Sequence, residues 1–296
     1  MLAVAAPLPH GAEWSYEFKW DGIRAIAAIA DGAAQLYARS GTDITVAYPE
    51  LHGLGTLPDS VLDGEIVVFT DAGEASFAEL AERMHVRDPG RAARLAARYP
   101  VTYLVFDLLR LGEADLCGEP YEVRRAWLEE TVSSGPNWVV PPVFDDGDAT
   151  LAVSRERGLE GVVAKRRDSP YRPGRRSPDW VKVKHVSTED FVIGGYRKGV
   201  RPVGSLLVGE PGPAGITFRG RVGGGISAYY QQRLQQELEP LRRNDSPFAD
   251  RVPAEDARGA IWVEPRLIAE VTYGNRTPDG RLRFPRFRRL RTDLGV

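Results

Sequence analysis

The sequence predicts an α+β fold: a mixed domain of largely antiparallel sheets with flanking helices, followed by a small Greek-key β-barrel. Three observations carry this. Short runs of alternating apolar and polar residues are separated by Asp-Gly or polar turns, the mark of antiparallel strands. Four segments before His185 show helical spacing of apolar and charged residues. After His185 the texture changes to short strands cut by Gly and Pro, with one helix in about 110 residues.

In chain order, residues 15–19, 23–30, 34–39, 61–69 and 101–109 read as strands, and 76–84, 91–98, 122–133 and 149–157 as helices. A further strand, Gly161 to Lys165, precedes a loop at 168–178 rich in Pro, Gly and Arg, and Trp180-Val-Lys-Val-Lys184 alternates like a strand facing two environments. Beyond it lie strands at Phe191–Tyr196, Ser205–Val208, Gly215–Arg221, Trp262–Val263 and Leu267–Thr272, a helix near 227–241, and a basic tail. Five or so short strands with one helix suit a barrel of the oligonucleotide-binding (OB) kind. The boundary falls near 186–188, giving domains 1–186 and 187–296.

Composition excludes several classes. Cys117 stands alone among 296 residues and four His are scattered, so neither a disulfide framework nor a Cys-rich zinc site can form, and a reducing cytoplasm is the natural setting. No apolar run approaches the ~20 residues of a membrane span, and the apolar start lacks the basic front of a signal peptide. The net charge of −2 is a cancellation: residues 1–154 carry −13, residues 155–186 carry +6 and residues 187–296 carry +5. Of 39 basic residues 34 are Arg, and the five Lys stand at 19, 165, 182, 184 and 198. Arg stays charged near neutral pH and cannot act as an amine nucleophile, whereas Lys can.

Glu17-Phe-Lys19-Trp-Asp21-Gly22-Ile-Arg24 ends a strand on Lys19, where positive neighbours would favour the neutral amine and attract a phosphate. Taken alone it is a strand, a hairpin turn and two exposed charges. Leu62-Asp63-Gly64-Glu65-Ile66 puts Glu65 at the head of a buried apolar strand, where a carboxylate needs a cation, and Mg²⁺ shared with substrate phosphates answers that need as well as a solvated turn does. Glu160-Gly-Val-Val-Ala-Lys165 repeats the arrangement. Phe106 by pattern alone is core. Lys182 and Lys184 point one way from their strand beside Trp180, and an anion between them would relieve their repulsion. The tail from Arg281 has six Arg interleaved with Phe284, Phe287 and Leu290, a pattern suited to a nucleic-acid backbone.

These six segments, with Val105-Phe-Asp-Leu108 and Arg283-Phe-Pro-Arg286-Phe among them, occur in the order of the nucleotidyltransferase motifs of ATP-dependent DNA ligases. Over nearly its whole length the chain resembles the small bacterial members and the ligase domain of multifunctional end-joining ligases. The resemblance implies an adenylation domain followed by an OB-fold domain, a monomer that seals 5′-phosphate, 3′-hydroxyl nicks in double-stranded DNA during repair, alone or with end-joining proteins. It implies that Lys19 attacks the α-phosphorus of ATP to form lysyl-AMP, that Phe106 stacks on adenine and that Glu17 contacts its amino edge. Arg24 and Arg39 would contact the nucleotide or the nick phosphate, Glu65 and Glu160 would position Mg²⁺ or Mn²⁺, and Lys182 and Lys184 would neutralise the α-phosphate with Lys165 and Arg176 nearby. Arg283, Arg286 and Arg291 would meet pyrophosphate or DNA, and a hinge near 185–188 would let the barrel swing.

One departure is that Arg291-Thr-Asp293 is followed by Leu294, where related motifs continue with Lys, so one pyrophosphate contact is missing. An RNA ligase or a capping guanylyltransferase shares Lys-x-Asp-Gly, but Tyr171-Arg-Pro-Gly-Arg-Arg-Ser177 ahead of Trp180 favours the DNA branch. A non-catalytic nucleic-acid-binding module is opposed by intact Lys19, Glu65, Glu160, Lys182 and Lys184.

Overall fold

The structure, a computed structural model, describes residues 1–277 and 279–293. Leu294 lies outside the described residues. The chain divides into two units, one ending at Lys184 and the other starting at His185. Among the described residues no helix is long and apolar enough to cross a membrane.

The first unit runs β1 (Leu2–Ala5), β2 (Trp14–Lys19), β3 (Ile23–Ala30), β4 (Ala33–Ala38), β5 (Ser60–Val68), α1 (Phe77–Arg83), α2 (Pro89–Arg98), β6 (Val101–Leu111), β7 (Ala114–Asp115), α3 (Tyr121–Thr131), β8 (Trp138–Val139), α4 (Gly147–Glu156), β9 (Gly161–Arg166) and β10 (Arg176–Lys184). One sheet has the order β1-β10-β9-β2, the other β4-β3-β5-β6-β7 with β8 on β6. All pairs are antiparallel except β1 on β10 and β8 on β6.

Local chemistry sets these elements. In β3 alternate residues Ala25, Ala27 and Ile29 are buried. Asp31 and Gly32 both have positive φ (51° and 75°), which twists the β3–β4 hairpin in the sense its strands require. Ser76, Asp88 and Asp146 cap α1, α2 and α4 by accepting from the backbone N–H of Glu79, Arg91 and Ala149. Leu36, Leu51, Leu54, Leu62, Ile66 and Leu80 form the main core behind the second sheet.

Several elements differ from the sequence reading. The apolar start becomes β1, whose parallel partner lies more than 170 residues away and leaves no local trace. The Asp21-Gly22 turn is no hairpin: β2 and β3 belong to different sheets, and the chain crosses between them there. A Cβ on Gly22 would sit 2.3 Å from the Ile66 carbonyl oxygen, so only glycine lets the crossing pass this close. Asp63-Gly64, by contrast, lies inside a strand as the sequence indicates, within β5. The 168–178 loop ends early, because β10 begins at Arg176.

The second unit comprises β11 (Ser187–Arg197), β12 (Ser205–Gly212), β13 (Gly215–Val222), α5 (Ala228–Leu238), β14 (Arg242–Arg243), α6 (Ala254–Ala257), β15 (Ala260–Val263), β16 (Ile268–Tyr273) and β17 (Arg286–Leu290). Long β11 is shared: its first half pairs with β16, its second with β15, and β12 runs along its other edge. The basic tail supplies β17, which pairs with β16 and bridges back to Gly224 just beyond β13, curling the sheet towards closure. Phe287 and Leu290 point into the barrel core with Phe191, Leu206 and Val271, while Arg286, Arg288 and Arg289 face out.

Candidate active site

Strand register explains why the lysines meet. Glu17 and Lys19 on β2, Val163 and Lys165 on β9, and Trp180, Lys182 and Lys184 on β10 share one face of the first sheet, because residues two apart on paired strands point the same way. Gly161, at the head of β9, lies opposite both Lys19 and Lys184. Glu160 just before it therefore sits between the two strand ends, with an ion pair to each lysine. Gly161 is obligatory: its φ is +148°, and a Cβ would fall 2.0 Å from the Val183 carbonyl oxygen.

That face forms one wall of a cleft of about 220 Å³, whose lining includes Glu17, Lys19, Arg24, Arg39, Glu65, Phe106, Lys165, Arg176, Trp180 and Lys182. Nine residues singled out in the sequence thus come together, from both sheets, and Glu160 and Lys184 join them through Lys19. Phe106 and Trp180, edge-on at 6.2 Å between ring centres, supply aromatic lining, and Arg24 and Lys165 lie against those rings among the cleft's cations. Burial, followed by the charges of Lys184, Arg176 and Lys19, pushes Lys182 below the usual lysine range, the signature of a site short of an anion.

The sequence reading surrounded Lys19 with positive charge. Its ion-pair partner is instead a carboxylate, Glu160. Burial would raise the Glu160 pKa, but Lys19 and Lys184 outweigh it and hold the carboxyl below its ordinary range.

Lys165, expected near the α-phosphate, lines the cleft with its ammonium buried against Glu17 Oε1 at 2.7 Å, donates to the Phe106 carbonyl, and packs 4.4–4.9 Å from the rings of Phe106, Trp180 and Tyr121. Desolvation lowers its pKa while Glu17 opposes the shift. The reason is register: Lys165 faces Ser15, two residue pairs along from Glu17 and on the same face of the sheet.

Three buried pairings escaped the sequence reading. Tyr121 donates to Glu17 Oε1 at 2.5 Å. Arg24 holds Asp63 through two nitrogens, and Tyr171 donates to the same carboxylate at 2.8 Å. Arg124 grips Asp107 bidentately at 2.8 and 2.9 Å with both side chains fully buried. Each joins residues 17 to 108 positions apart, which no spacing rule exposes. A tyrosine opening α3 directly after Pro120 was the one visible signal.

A divalent cation fits this chemistry in part. Burial pushes the Glu65 carboxyl up to about 8, against the pull of Lys19 and Arg24, and it accepts no hydrogen bond or ion pair among the described residues. A hard cation would satisfy that oxygen pair. Glu160 has both oxygens engaged by lysines, and among the described residues no group of three His, Cys, Asp or Glu could cage a metal alone. Phosphate oxygens of a substrate would have to complete the shell.

Of the C-terminal arginines, Arg291 is tied to Asp190 and Asp293. Arg286 is exposed and forms no ion pair among the described residues. Arg283 lies over the Phe284 ring at 5.5 Å, and Phe284 is 64% exposed with a positive φ of 54°.

Residues 3–184 match the model of the ATP dependent DNA ligase domain, and residues 200–294 that of the ATP dependent DNA ligase C terminal region. The multifunctional non-homologous end joining DNA repair protein LigD of Mycobacterium tuberculosis is 45% identical over 289 residues, 95% of this chain; the chain spans 36% of LigD's length. DNA ligase C1 of Mycolicibacterium smegmatis is 37% identical over 95% of this chain and 85% of its own. Among solved structures, the ligase domain of M. tuberculosis LigD superposes with a TM-score of 0.58 at 41% identity, covering 99% of this chain and 95% of that one. A mycobacterial DNA ligase D complexed with ATP and MES gives 0.55 at the same identity and coverage.

Proposed function

The chain belongs to the ATP-dependent DNA ligase family, and we propose that it seals 5′-phosphate, 3′-hydroxyl nicks in double-stranded DNA through a covalent lysyl-AMP on Lys19. The observation that carries this reading is the Lys19 amine at the seam of two sheets, opening on a cleft lined by the aromatic rings of Phe106 and Trp180 and by several lysines and arginines. That lining suits a nucleotide: Phe106 stacks on adenine, Glu17 accepts from its 6-amino group, and Lys182, Arg176 and Arg39 draw the triphosphate.

Glu160 fixes the direction of the Lys19 side chain. Nucleophilic attack by the deprotonated amine on the α-phosphorus expels pyrophosphate, and cations already gathered round the cleft offset the charge that builds there. Mg²⁺ or Mn²⁺ at Glu65 and Glu160 would add further neutralisation of the phosphates. AMP then passes to the 5′-phosphate of the nick, and the 3′-hydroxyl displaces it. Arg283 and Arg286 on the barrel meet pyrophosphate or DNA, whereas Arg291 orders the tail through Asp190 and Asp293. The domains are residues 1–186 for adenylation and 187–296 for the OB fold, with a hinge at 185–188. The likeness to LigD supports a role in end joining during DNA repair.

The test is direct. With Mg²⁺ and ATP labelled at the α-phosphate, wild type becomes labelled and Lys19→Ala does not, and nicked DNA discharges the label into adenylated then sealed product. Wild type that stays unlabelled, or Lys19→Ala that labels equally, refutes the reading.

A further inference from the structure

We infer that Tyr121, which lies outside the cleft wall, is a positioning residue for nucleobase selection: together with Lys165 it occupies Oε1 of Glu17 and leaves Oε2 as the acceptor offered to a 6-amino purine. This rests on the reading of the cleft as an adenine-nucleotide site and deepens it.

Glu17 is 7% exposed and Tyr121 1%. Both donors to the carboxylate among the described residues, Tyr121 Oη at 2.5 Å and Lys165 Nζ at 2.7 Å, fall on the one oxygen Oε1. Oε2 accepts nothing among the described residues, and Glu17 lines the cleft. Two donors on one oxygen fix both the rotation of the carboxylate and the direction of its free lone pairs. A fixed acceptor discriminates: it takes a hydrogen bond from a 6-amino group and meets a 6-oxo group lone pair to lone pair. Without the tyrosine hydroxyl, Lys165 alone cannot stop the carboxylate from turning. A turned carboxylate can accept from N1–H of a 6-oxo purine, so selectivity falls while the cleft, its lysines and the attack on phosphorus persist. Tyr121 itself stays in place because its ring is packed against Lys165 and Arg124.

The experiment measures lysyl-nucleotide formation by the full chain with ATP and with ITP. In Tyr121→Phe the ratio of kcat/KM for ATP over ITP is expected to fall about tenfold, the worth of one hydrogen bond to a charged group. The change should lie in KM, with kcat at saturating ATP within about threefold of wild type. Incorporation of 4-aminophenylalanine at 121, which restores a donor, should return the ratio, and 4-fluorophenylalanine, which fills the space without one, should not. The fluorinated variant decides if Tyr121→Phe does not fold. A ratio unchanged in the donor-less variants, or unrestored by the amino variant, overturns the inference. Wild type that forms no lysyl-nucleotide with ATP instead refutes the function proposed above, so the two failures are distinguishable.

Discussion

Replacing Arg124 with methionine should be among the most damaging single changes in the first unit, although Arg124 does not line the cleft. Its guanidinium binds Asp107 through two bonds, and also donates to the Glu119 and Ser169 carbonyls at 2.6 and 3.0 Å. Both members of the pair are wholly buried. Removing the cation leaves the Asp107 carboxylate in a dry interior and two carbonyls short of a donor, so Arg124→Met should cost about 3–5 kcal/mol. Removing both charges at once, Asp107→Leu with Arg124→Met, spares the buried anion and should recover at least half of that loss. The assay is urea unfolding followed by tryptophan fluorescence. Five of the six tryptophans, at 14, 20, 127, 138 and 180, lie in the first unit, so the signal reports that unit even if the two unfold separately. A single variant that loses less than about 1 kcal/mol, or a double variant no better than the single, would refute the argument that the pair is held by mutual neutralisation of buried charge.

Glu65 supplies a pH test. Its folded pKa of about 8 lies above the ordinary 4.5, so the folded state holds a proton the unfolded chain gives up. That contribution is fully present below pH 4.5 and is lost as pH rises towards 8, at up to about 1.4 kcal/mol per pH unit. In chelator and without nucleotide, Glu65→Gln should therefore gain stability over wild type between pH 5 and 8, and parallel urea profiles would contradict this. Exposed Arg286 is expected to touch DNA phosphate, so Arg286→Ala should weaken nicked-duplex binding and lower the slope of log affinity against log salt by about one, read by filter binding from low to moderate salt. An unaltered slope would remove Arg286 from the DNA contacts.

What was legible in the sequence divides by range. Strands such as 23–30 and helices such as α4 announce themselves through alternation, turn residues and caps, all effects within a few positions. The cleft residues were legible for a related reason: Lys19, Glu65, Glu160 and Lys182 stand as charges at the ends or inside apolar strands, where an ordinary solvated role is awkward. The strand role of the tail was also present in outline, since Phe287 and Leu290 are inward residues between outward arginines, but their spacing of three crosses a β-bulge and hides the alternation. By contrast, β1 depends on a partner far along the chain, and the Asp107–Arg124 and Glu17–Tyr121 pairs depend on which strand faces which helix.

This division has a physical consequence for how the site works. The groups that face the cleft carry net positive charge and compete for few anions: Glu160 is shared by two lysines, and Lys182 has no ion pair among the described residues. Such an assembly would repel itself apart unless its support were rigid. That support is built from Glu17 with Lys165 and Tyr121, Asp63 with Arg24 and Tyr171, and Asp107 with Arg124, pairs of which Glu17, Lys165 and Arg24 also reach the cleft wall, each acid matched to a base with a tyrosine hydroxyl or ring packed against it. Local charge balance in these pairs therefore permits charge imbalance in the cleft, and it is the imbalance that an incoming triphosphate relieves. The near-neutral total of the chain conceals this arrangement, because the acidic excess of residues 1–154 cancels the cleft's charge on paper without lying in the cleft lining, where Glu17 and Glu65 are the carboxylates.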